Sequence, residues 1–293
     1  MAKQENAGTV GVTDDKPDYW LNRNFLASAR LTCQHDLIID RVGYLLNPGI
    51  AEATGLTTSS STANVAPTEP LQILDLGTGN GIWAMRLASS LANTPNSRPV
   101  HITGLDISSE MFPNPLSLPP NVTFATYDFF QPPPTEYLSK FDIIHIRFIN
   151  PVLWPKPDFR VTAIRNFTAM LKPNGWLQWT EPRVPAIADV TFDDQGNASI
   201  SEGLNEFHSL LDSIVPVQTN SRWTASMDKF CLDNGYAEAK LEHRGLAEFV
   251  EALPEGEKKE KLGQAMEKEL AAMDAGTRSK TGNYVCVVAR KGV

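Results

Sequence analysis

The chain is poor in cysteine. Cys33, Cys231 and Cys286 are widely spaced and odd in number, which leaves no disulfide framework and no C-x-x-C metal pair. All three are expected to be small buried hydrophobes, and no metal is expected. Long apolar runs are missing too: nothing approaches the roughly 18 residues a membrane span requires. Residues 1–16 are polar and lack the apolar core of a secretory signal, so the expectation is a soluble, cytoplasmic protein with no membrane partner. Clustered basic residues are also lacking, with 26 Lys and Arg against 34 Asp and Glu and a formal net charge of −8. Phosphate backbones are held by clustered Lys and Arg, so the composition argues against a nucleic-acid substrate and for a small-molecule acceptor. No internal repeat is evident. Three Asn-x-Ser/Thr triplets begin at Asn121, Asn166 and Asn197 and read as chance matches without a secretory signal.

What the chain does have is enough apolar material for one large core, 42% hydrophobic residues in 293. Residues 1–16 read as disordered. Helical patterning follows from Tyr19 to Leu46 and is expected to stop at Asn47-Pro48-Gly49. The low-complexity stretch Thr57 to Asn64, then Pro67 and Pro70, marks a linker. The expected organisation is therefore a helical cap and linker over residues 17–66 and a core over residues 67–293.

The strongest signal is Ile73-Leu74-Asp75-Leu76-Gly77-Thr78-Gly79-Asn80-Gly81. Ile73, Leu74 and Leu76 read as a buried parallel strand, and the alternate glycines Gly77, Gly79 and Gly81 permit a tight turn with the backbone close to a ligand. Dinucleotide sites use G-x-G-x-x-G instead, and no Lys-Ser or Lys-Thr pair follows, which excludes a P-loop. Asp75 would repel a pyrophosphate but suits an ammonium. The combination points to S-adenosyl-L-methionine, with Asp75, Gly77, Thr78, Gly79 and Gly81 at the cofactor.

Two further acids follow in series. The stretch from His101 to Ile107 reads as a second strand ending in Asp106, about 25 residues past the glycines, where a carboxylate accepts from ribose hydroxyls. Val122 to Phe129 reads as a third, whose Asp128 would accept from the adenine amino group while Ile107 or Phe129 lies on the ring.

The run from Ile73 to Trp179 resembles a class I S-adenosylmethionine-dependent methyltransferase, with Phe141 to Arg147 and Leu171 to Glu181 as its fourth and fifth strands. Arg30-Leu31-Thr32-Cys33-Gln34-His35, the His145-Ile146-Arg147 strand end and the strand from Gly175-Trp176 to Glu181 resemble more narrowly the LaeA-like methyltransferases of fungal secondary metabolism. Where that family carries an acidic residue shortly before the Arg-Leu pair, this chain has Asn24 to Ala29. The resemblance implies an α/β fold: a doubly wound, mostly parallel, Rossmann-like sheet of seven strands with an N-terminal helical cap. It implies cofactor contacts from Tyr19, Arg30, Gln34 and His35.

Later elements are read by the same rules. Arg160 to Leu171 is a helix expected to end at Pro173-Asn174-Gly175. Residues 201–215 hold an amphipathic helix, with Leu204, Phe207, Leu210 and Leu211 at helical spacing, that would roof the pocket. Thr224 to Asn234 is a helix stopped by Gly235, followed by a sixth strand near Ala239 to Arg244. A helix over residues 262–273 packs on the sheet or mediates a homodimer, and Tyr284 to Ala289 is a last strand that the fold places antiparallel beside the fifth.

Methyl transfer requires an acceptor aligned behind the methyl carbon and a group that takes its proton. His208, on the roof helix, either points down to the acceptor or is half exposed. His145, inside the fourth strand, is either a core histidine or a base. Glu181, at the C-terminal end of the fifth strand, is a second base or a hydrogen-bond partner for the roof. Arg147 pairs with the cofactor carboxylate or with a neighbouring acid. Asn150-Pro151 partly matches the Asn-Pro-Pro-aromatic pattern of amine-directed enzymes, and Tyr19, Trp20, Phe148, Trp154 and Trp223 offer a flat apolar lining. The reading is an O-directed methyltransferase acting on an aromatic or heterocyclic secondary metabolite, such as an alkaloid phenol or N-hydroxyl. Two alternatives stand beside it: a cofactor-binding enzyme of dehydration or pericyclic chemistry, and a LaeA-like regulator.

Overall fold

The computed structural model describes residues 23–56, 69–94, 98–153, 157–182, 190–192, 198–200, 222–244 and 284–293. Its centre is a seven-stranded sheet built from β1 (Leu71–Leu76), β2 (Val100–Asp106), β3 (Val122–Thr126), β4 (Phe141–Arg147), β5 (Leu171–Pro182), β8 (Tyr236–Arg244) and β9 (Tyr284–Lys291). The strand order is β3-β2-β1-β4-β5-β9-β8. The first five strands pair in parallel, whereas β9 runs antiparallel to both β5 and β8. This is the doubly wound architecture expected of the sequence. The order reverses between β1 and β4, and ligands in such sheets bind outside the carboxyl ends of the strands at that point. A small hairpin, β6 (Val190–Phe192) with β7 (Ala198–Ile200), has no counterpart among the sequence expectations.

Helices cover both faces. On one, α2 (Pro48–Ala53) and α3 (Ile82–Ala92) bury Ile50, Trp83, Ala84 and Leu87 against Ile73, Ile102 and Ile143. On the other, α5 (Pro157–Met170) and α6 (Met227–Leu232) bury Ile164, Phe167, Met227 and Cys231 against Leu74, Ile144, Leu177 and Trp179. From Ile143 onward, successive positions of β4 enter opposite cores, the pattern of a strand buried on both faces.

Several local expectations are corrected. The first helix, α1 (Phe25–Val42), ends at Gly43, whose φ of +84° supplies the left-handed residue beyond the last turn, with its N–H on the Ile39 carbonyl. Asn47-Pro48-Gly49 opens a helix instead of stopping one: the Asn47 side chain accepts from Gly49 N and Pro48 occupies the first turn of α2. β3 stops at Thr126, because Asp128 folds back to accept from Phe130 N at 3.1 Å. α5 ends at Met170 and β5 begins at once; Pro173-Asn174-Gly175 lies inside β5 where its register against β4 jumps, Asn174 taking a φ of +61°. Cys33 is exposed, while Cys231 and Cys286 are buried as expected. The roof helix at 201–215 and the helix at 262–273 lie outside the described residues.

Candidate cofactor and acceptor site

At the reversal point, β1 carries Asp75 directly opposite His145 of β4. His145 Nδ1 lies 2.8 Å from Asp75 Oδ1, and Thr78 Oγ1 donates to Asp75 Oδ2 at 2.6 Å. Both oxygens of the acid are thus held from within the protein. The His145 ring stacks face to face on Trp83, centroids 3.7 Å apart, and Trp83 Nε1 donates to the Leu45 carbonyl. Burial lowers the His145 pKa against the opposing pull of Asp75, so the imidazole is neutral and Asp75 selects the tautomer with the proton on Nδ1.

The glycine run follows. Gly77 N and Thr78 N both donate to the Leu105 carbonyl, which carries the β1 to β2 pairing into the turn. Gly79 has a φ of +59°, and a Cβ there would come within 3.0 Å of Leu31 Cδ1 on α1. At Gly81 a Cβ would strike the Phe124 ring, so the third glycine also admits a core aromatic and stands at the start of α3.

The cap helix lies across this loop. Asn80 Nδ2 donates to Ser28 O at 3.0 Å, Ser28 Oγ at 3.2 Å and Thr32 Oγ1 at 3.0 Å. Sequence reasoning missed these contacts; an amide inside the glycine run was the available signal. Arg30 is exposed and reaches along the helix to Gln34 Oε1 at 3.4 Å. His35, from the same helix, is 2% exposed and its Nδ1 has no partner. Burial, then the Arg147 charge, holds its pKa down at about 4.

Asp106 ends β2, with Oδ2 accepting from Gly79 N at 2.8 Å and Oδ1 from Ser108 N at 3.3 Å. Burial raises its pKa, opposed by those N–H donors and by Arg23. Ile107 beside it is 55% exposed, an apolar surface at the strand end. Phe129, the other residue expected on the adenine, packs at 4.7 Å on Phe130 and 5.7 Å on Phe167, against the core that holds Phe167 and Trp179. Asp128 sits in the loop after β3.

Arg147 ends β4. Its Nη1 is buried with no partner, and burial lowers its pKa while Asp75 raises it. A guanidinium stays charged under these conditions, so an unpaired donor is poised for an anion. Phe148 then adopts a φ of +56°, a costly conformation for a side chain of its size. The turn it makes aims Ile149 N and Asn150 N at Glu181 Oε1, 3.0 and 3.1 Å away, at the N-terminus of α4 (Asn150–Leu153).

Glu181 is fully buried. Oε1 takes a third bond from Trp179 Nε1 at 2.8 Å, while Oε2 has no partner. Desolvation pushes its pKa up to about 8 against those three donors. Asn150 is buried beside it, Oδ1 fixed by Trp223 Nε1 at 2.9 Å and Nδ2 unpartnered. Trp223 itself packs edge-on against Trp179 and Phe230, so it is a wall of the core. His208, Tyr19, Trp20 and Trp154 lie outside the described residues. The structure therefore gathers Asp75, Thr78, Gly79, Asp106, His145 and Arg147 at the reversal point, with Glu181 on the other face of the neighbouring strand.

The strand order with its antiparallel β9, the glycine turn after β1 and the acid ending β2 define a class I methyltransferase fold. A methyltransferase-domain family profile matches residues 74–177. Residues 74–177 thus carry a methyltransferase domain of the class I S-adenosylmethionine-dependent kind, with S-adenosyl-L-methionine as its cofactor. The residues present fit it: Gly79 keeps the loop free of a side chain where a Cβ would press on Leu31 Cδ1, and Arg147 Nη1 is a buried donor without a partner.

Similar proteins include the N-methyltransferase sirN of Leptosphaeria maculans, 30% identical over 207 residues, 70% of this chain and 61% of its own. The N-methyltransferase gliN of Aspergillus fumigatus is 28% identical over 244 residues, 83% of this chain and 72% of its own. The methyltransferase grgD of a Penicillium species is 36% identical over 121 residues, 41% of each chain. The matched segments span 41%, 61% and 40% of the length of three such relatives. Among solved structures, a chain of the Haloferax volcanii complex between a methyltransferase and its activator shares the fold, with a TM-score of 0.51 at 16% identity, covering 92% of this chain and 95% of its own. Among the described residues, no helix is long and apolar enough to cross a membrane.

Proposed function

We propose that the protein transfers a methyl group from S-adenosyl-L-methionine to an aromatic or heterocyclic secondary metabolite, at an atom that loses a proton in the reaction. The observation that carries this reading is Glu181 Oε2, a buried carboxyl oxygen without a partner at the carboxyl end of β5. The cofactor supplies a methyl carbon already activated by the sulfonium. The chain's own residues then have three tasks.

Arg147 and Asp106 hold the two ends of the cofactor, through its carboxylate and its ribose hydroxyls. Ile107 offers an apolar face to the adenine, with Asp128 at its edge. Glu181 Oε2 accepts the proton released as the acceptor atom bonds to carbon, its Oε1 staying fixed by three donors. A carboxyl group with a pKa of about 8 matches that task better than an exposed one would. His145, bonded to Asp75 and stacked on Trp83, orients the acid rather than reaching the acceptor.

An oxygen acceptor has to give up its proton as it attacks, and a phenol or an N-hydroxyl releases it to a carboxylate more easily than an aliphatic alcohol does, which favours those acceptors. A nitrogen acceptor is the second reading, favoured by similar proteins that bear the name N-methyltransferase. The test is a transfer assay with methyl-labelled cofactor, purified protein and metabolite extract from a strain lacking the encoding gene. One small molecule should gain the label, and the carbon shift of its new methyl distinguishes oxygen from nitrogen. A precursor consumed without label would replace methyl transfer by non-methylating chemistry, and no consumption at all would favour a regulator.

A further inference from the structure

Two buried residues at the carboxyl end of the parallel strands each have one polar atom fixed and one left over. Glu181 is completely buried, and its Oε1 accepts from Ile149 N, Asn150 N and Trp179 Nε1, which leaves Oε2 without a partner. Asn150 is 1% exposed; its Oδ1 accepts from Trp223 Nε1 at 2.9 Å, and its Nδ2 has no partner. Both arrangements cost free energy unless another group completes them.

The two residues are bonded to each other: Asn150 N lies 3.1 Å from Glu181 Oε1, and the indoles that anchor them pack edge to face with centroids 5.4 Å apart. One carboxyl group and one short side chain therefore separate the free atoms, which do not bond one another. The polarity of the pair is fixed as well. An indole N–H can only donate, so Trp223 holds the Asn150 amide with its oxygen toward the ring and leaves the amino group free. The result is an acceptor at Oε2 beside a donor at Nδ2. A nitrogen substrate spends its lone pair on the methyl carbon and offers Nδ2 only N–H, donor against donor. A hydroxyl with a second oxygen on the neighbouring atom satisfies both.

We propose that Asn150 determines substrate specificity: its Nδ2 donates to an oxygen on the atom next to the one whose hydroxyl is methylated at Glu181 Oε2. The inference rests on the oxygen-directed transfer proposed above and narrows its substrate to a phenol with an ortho hydroxyl or ether oxygen, or an N-hydroxy lactam. In the transfer the hydroxyl oxygen bonds to the methyl carbon, its proton passes to the ionised Glu181 carboxylate, and the electron pair of the broken S–C bond stays on sulfur. Asn150 exchanges no proton. It sets which hydroxyl stands in front of the carboxylate.

The test uses the full chain, methyl-labelled S-adenosylmethionine and two probes of similar shape and acidity, 2-methoxyphenol and 2-ethylphenol, which differ in an ether oxygen against a methylene group. The wild type should show a kcat/KM about fivefold higher for 2-methoxyphenol, the range of one neutral hydrogen bond. Asn150→Leu, which keeps the volume and removes the donor, should bring that ratio to about one. Trp223→Phe keeps a ring against Trp179 and frees the amide to turn, and should bring the ratio to about twofold. A merely structural role would not move the ratio, since a weakened fold slows both probes alike. Equal wild-type transfer to the two probes overturns the role of Asn150 and leaves methyl transfer standing, as does a ratio that survives Asn150→Leu. Should Asn150→Leu not fold, the wild-type ratio and Trp223→Phe decide the matter. Label in neither probe overturns the oxygen-directed reading on which the site rests, and the role of Asn150 with it.

Discussion

His145 Nδ1 sits 2.8 Å from Asp75 Oδ1, across the two parallel strands between which the strand order reverses. Both side chains are buried, a hydrogen-bonded polar pair between strands whose other buried residues are mostly apolar. His35 lies close enough for His145 to act on its pKa. Each imidazole is held neutral chiefly by desolvation.

Acid should therefore unfold the protein by charging these two rings. A histidine whose folded pKa is depressed contributes stability that is present above the unfolded value of 6.5 and is lost as pH falls toward the folded value, about 4 for His35. Relative to His35→Phe, the wild type should lose melting temperature as pH drops from 6.5 towards 4, a comparison in which the opposing slope of Glu181 cancels. A slope unchanged by His35→Phe would place the acid sensitivity elsewhere.

Asp75→Ala removes both the His145 partner and the Thr78 partner. The expected cost is about 2–4 kcal/mol of stability, because a buried imidazole and a buried hydroxyl are left without acceptors. Chemical denaturation measures it. A loss below about 1 kcal/mol would mean that water replaces the carboxylate.

Two glycines with similar backbone angles separate strain from site. Gly79 has a φ of +59°, and a methyl added to it would lie 3.0 Å from Leu31 Cδ1; Gly55 has a φ of +68° with nothing within 4 Å. Gly55→Ala should cost about 1 kcal/mol in stability and leave cofactor affinity unchanged. Gly79→Ala should cost a similar strain and in addition weaken cofactor binding about tenfold or more, because the methyl presses on Leu31 Cδ1 and shifts the loop. Calorimetric titration of both variants checks the contrast.

Much of this was legible in the sequence because it is local. The glycine run, the acids ending β2 and the strand sequence through β5 follow from short-range pattern, and the antiparallel last strand follows from family resemblance. What was not legible depends on pairing at long range. Asp75 meets His145 because β1 and β4 are neighbours in register, a relation 70 positions apart that no local pattern carries. Asn80 reaches Ser28 and Thr32 only once α1 folds across the loop. Asn47-Pro48-Gly49 is ambiguous by nature, since the residues that end a helix also begin one; Gly43 had already supplied the left-handed turn. Cys33 was expected inside on composition alone, but its position on α1 falls off the inner stripe that holds Ala27, His35 and Ile38.

The Asn80 amide is the polar tie between cap and loop. Asn80→Ala removes bonds to Ser28 O, Ser28 Oγ and Thr32 Oγ1, all at partly exposed positions where water can substitute. The expected loss is about 1–2 kcal/mol, felt locally rather than globally. Hydrogen exchange should therefore accelerate in the first half of α1 while the amides of β1 and β4 keep their protection. Uniform acceleration throughout the sheet would show that α1 unfolds only with the core.

Glu181 separates a structural role from a chemical one through the sign of its pH dependence. Its folded pKa of about 8 lies above the ordinary carboxyl value of 4.5, so the fold prefers the protonated form. Stability from this group is greatest below pH 4.5, declines as pH rises through the window to 8, and is level above it, with a slope on the order of 1 kcal/mol per pH unit. Glu181→Gln keeps an oxygen for Ile149 N, Asn150 N and Trp179 Nε1 but cannot ionise. The variant should thus melt higher than the wild type at pH 8 and show no decline across the window. If Oε2 is also the proton acceptor, wild-type turnover should rise with pH up to about 8, and the variant should lose on the order of 10²–10⁴ in rate. The two effects run in opposite directions, a more stable protein that is less active. A variant that gains stability and keeps full activity would confine Glu181 to holding the Phe148 turn and would leave the acceptor's proton to another group.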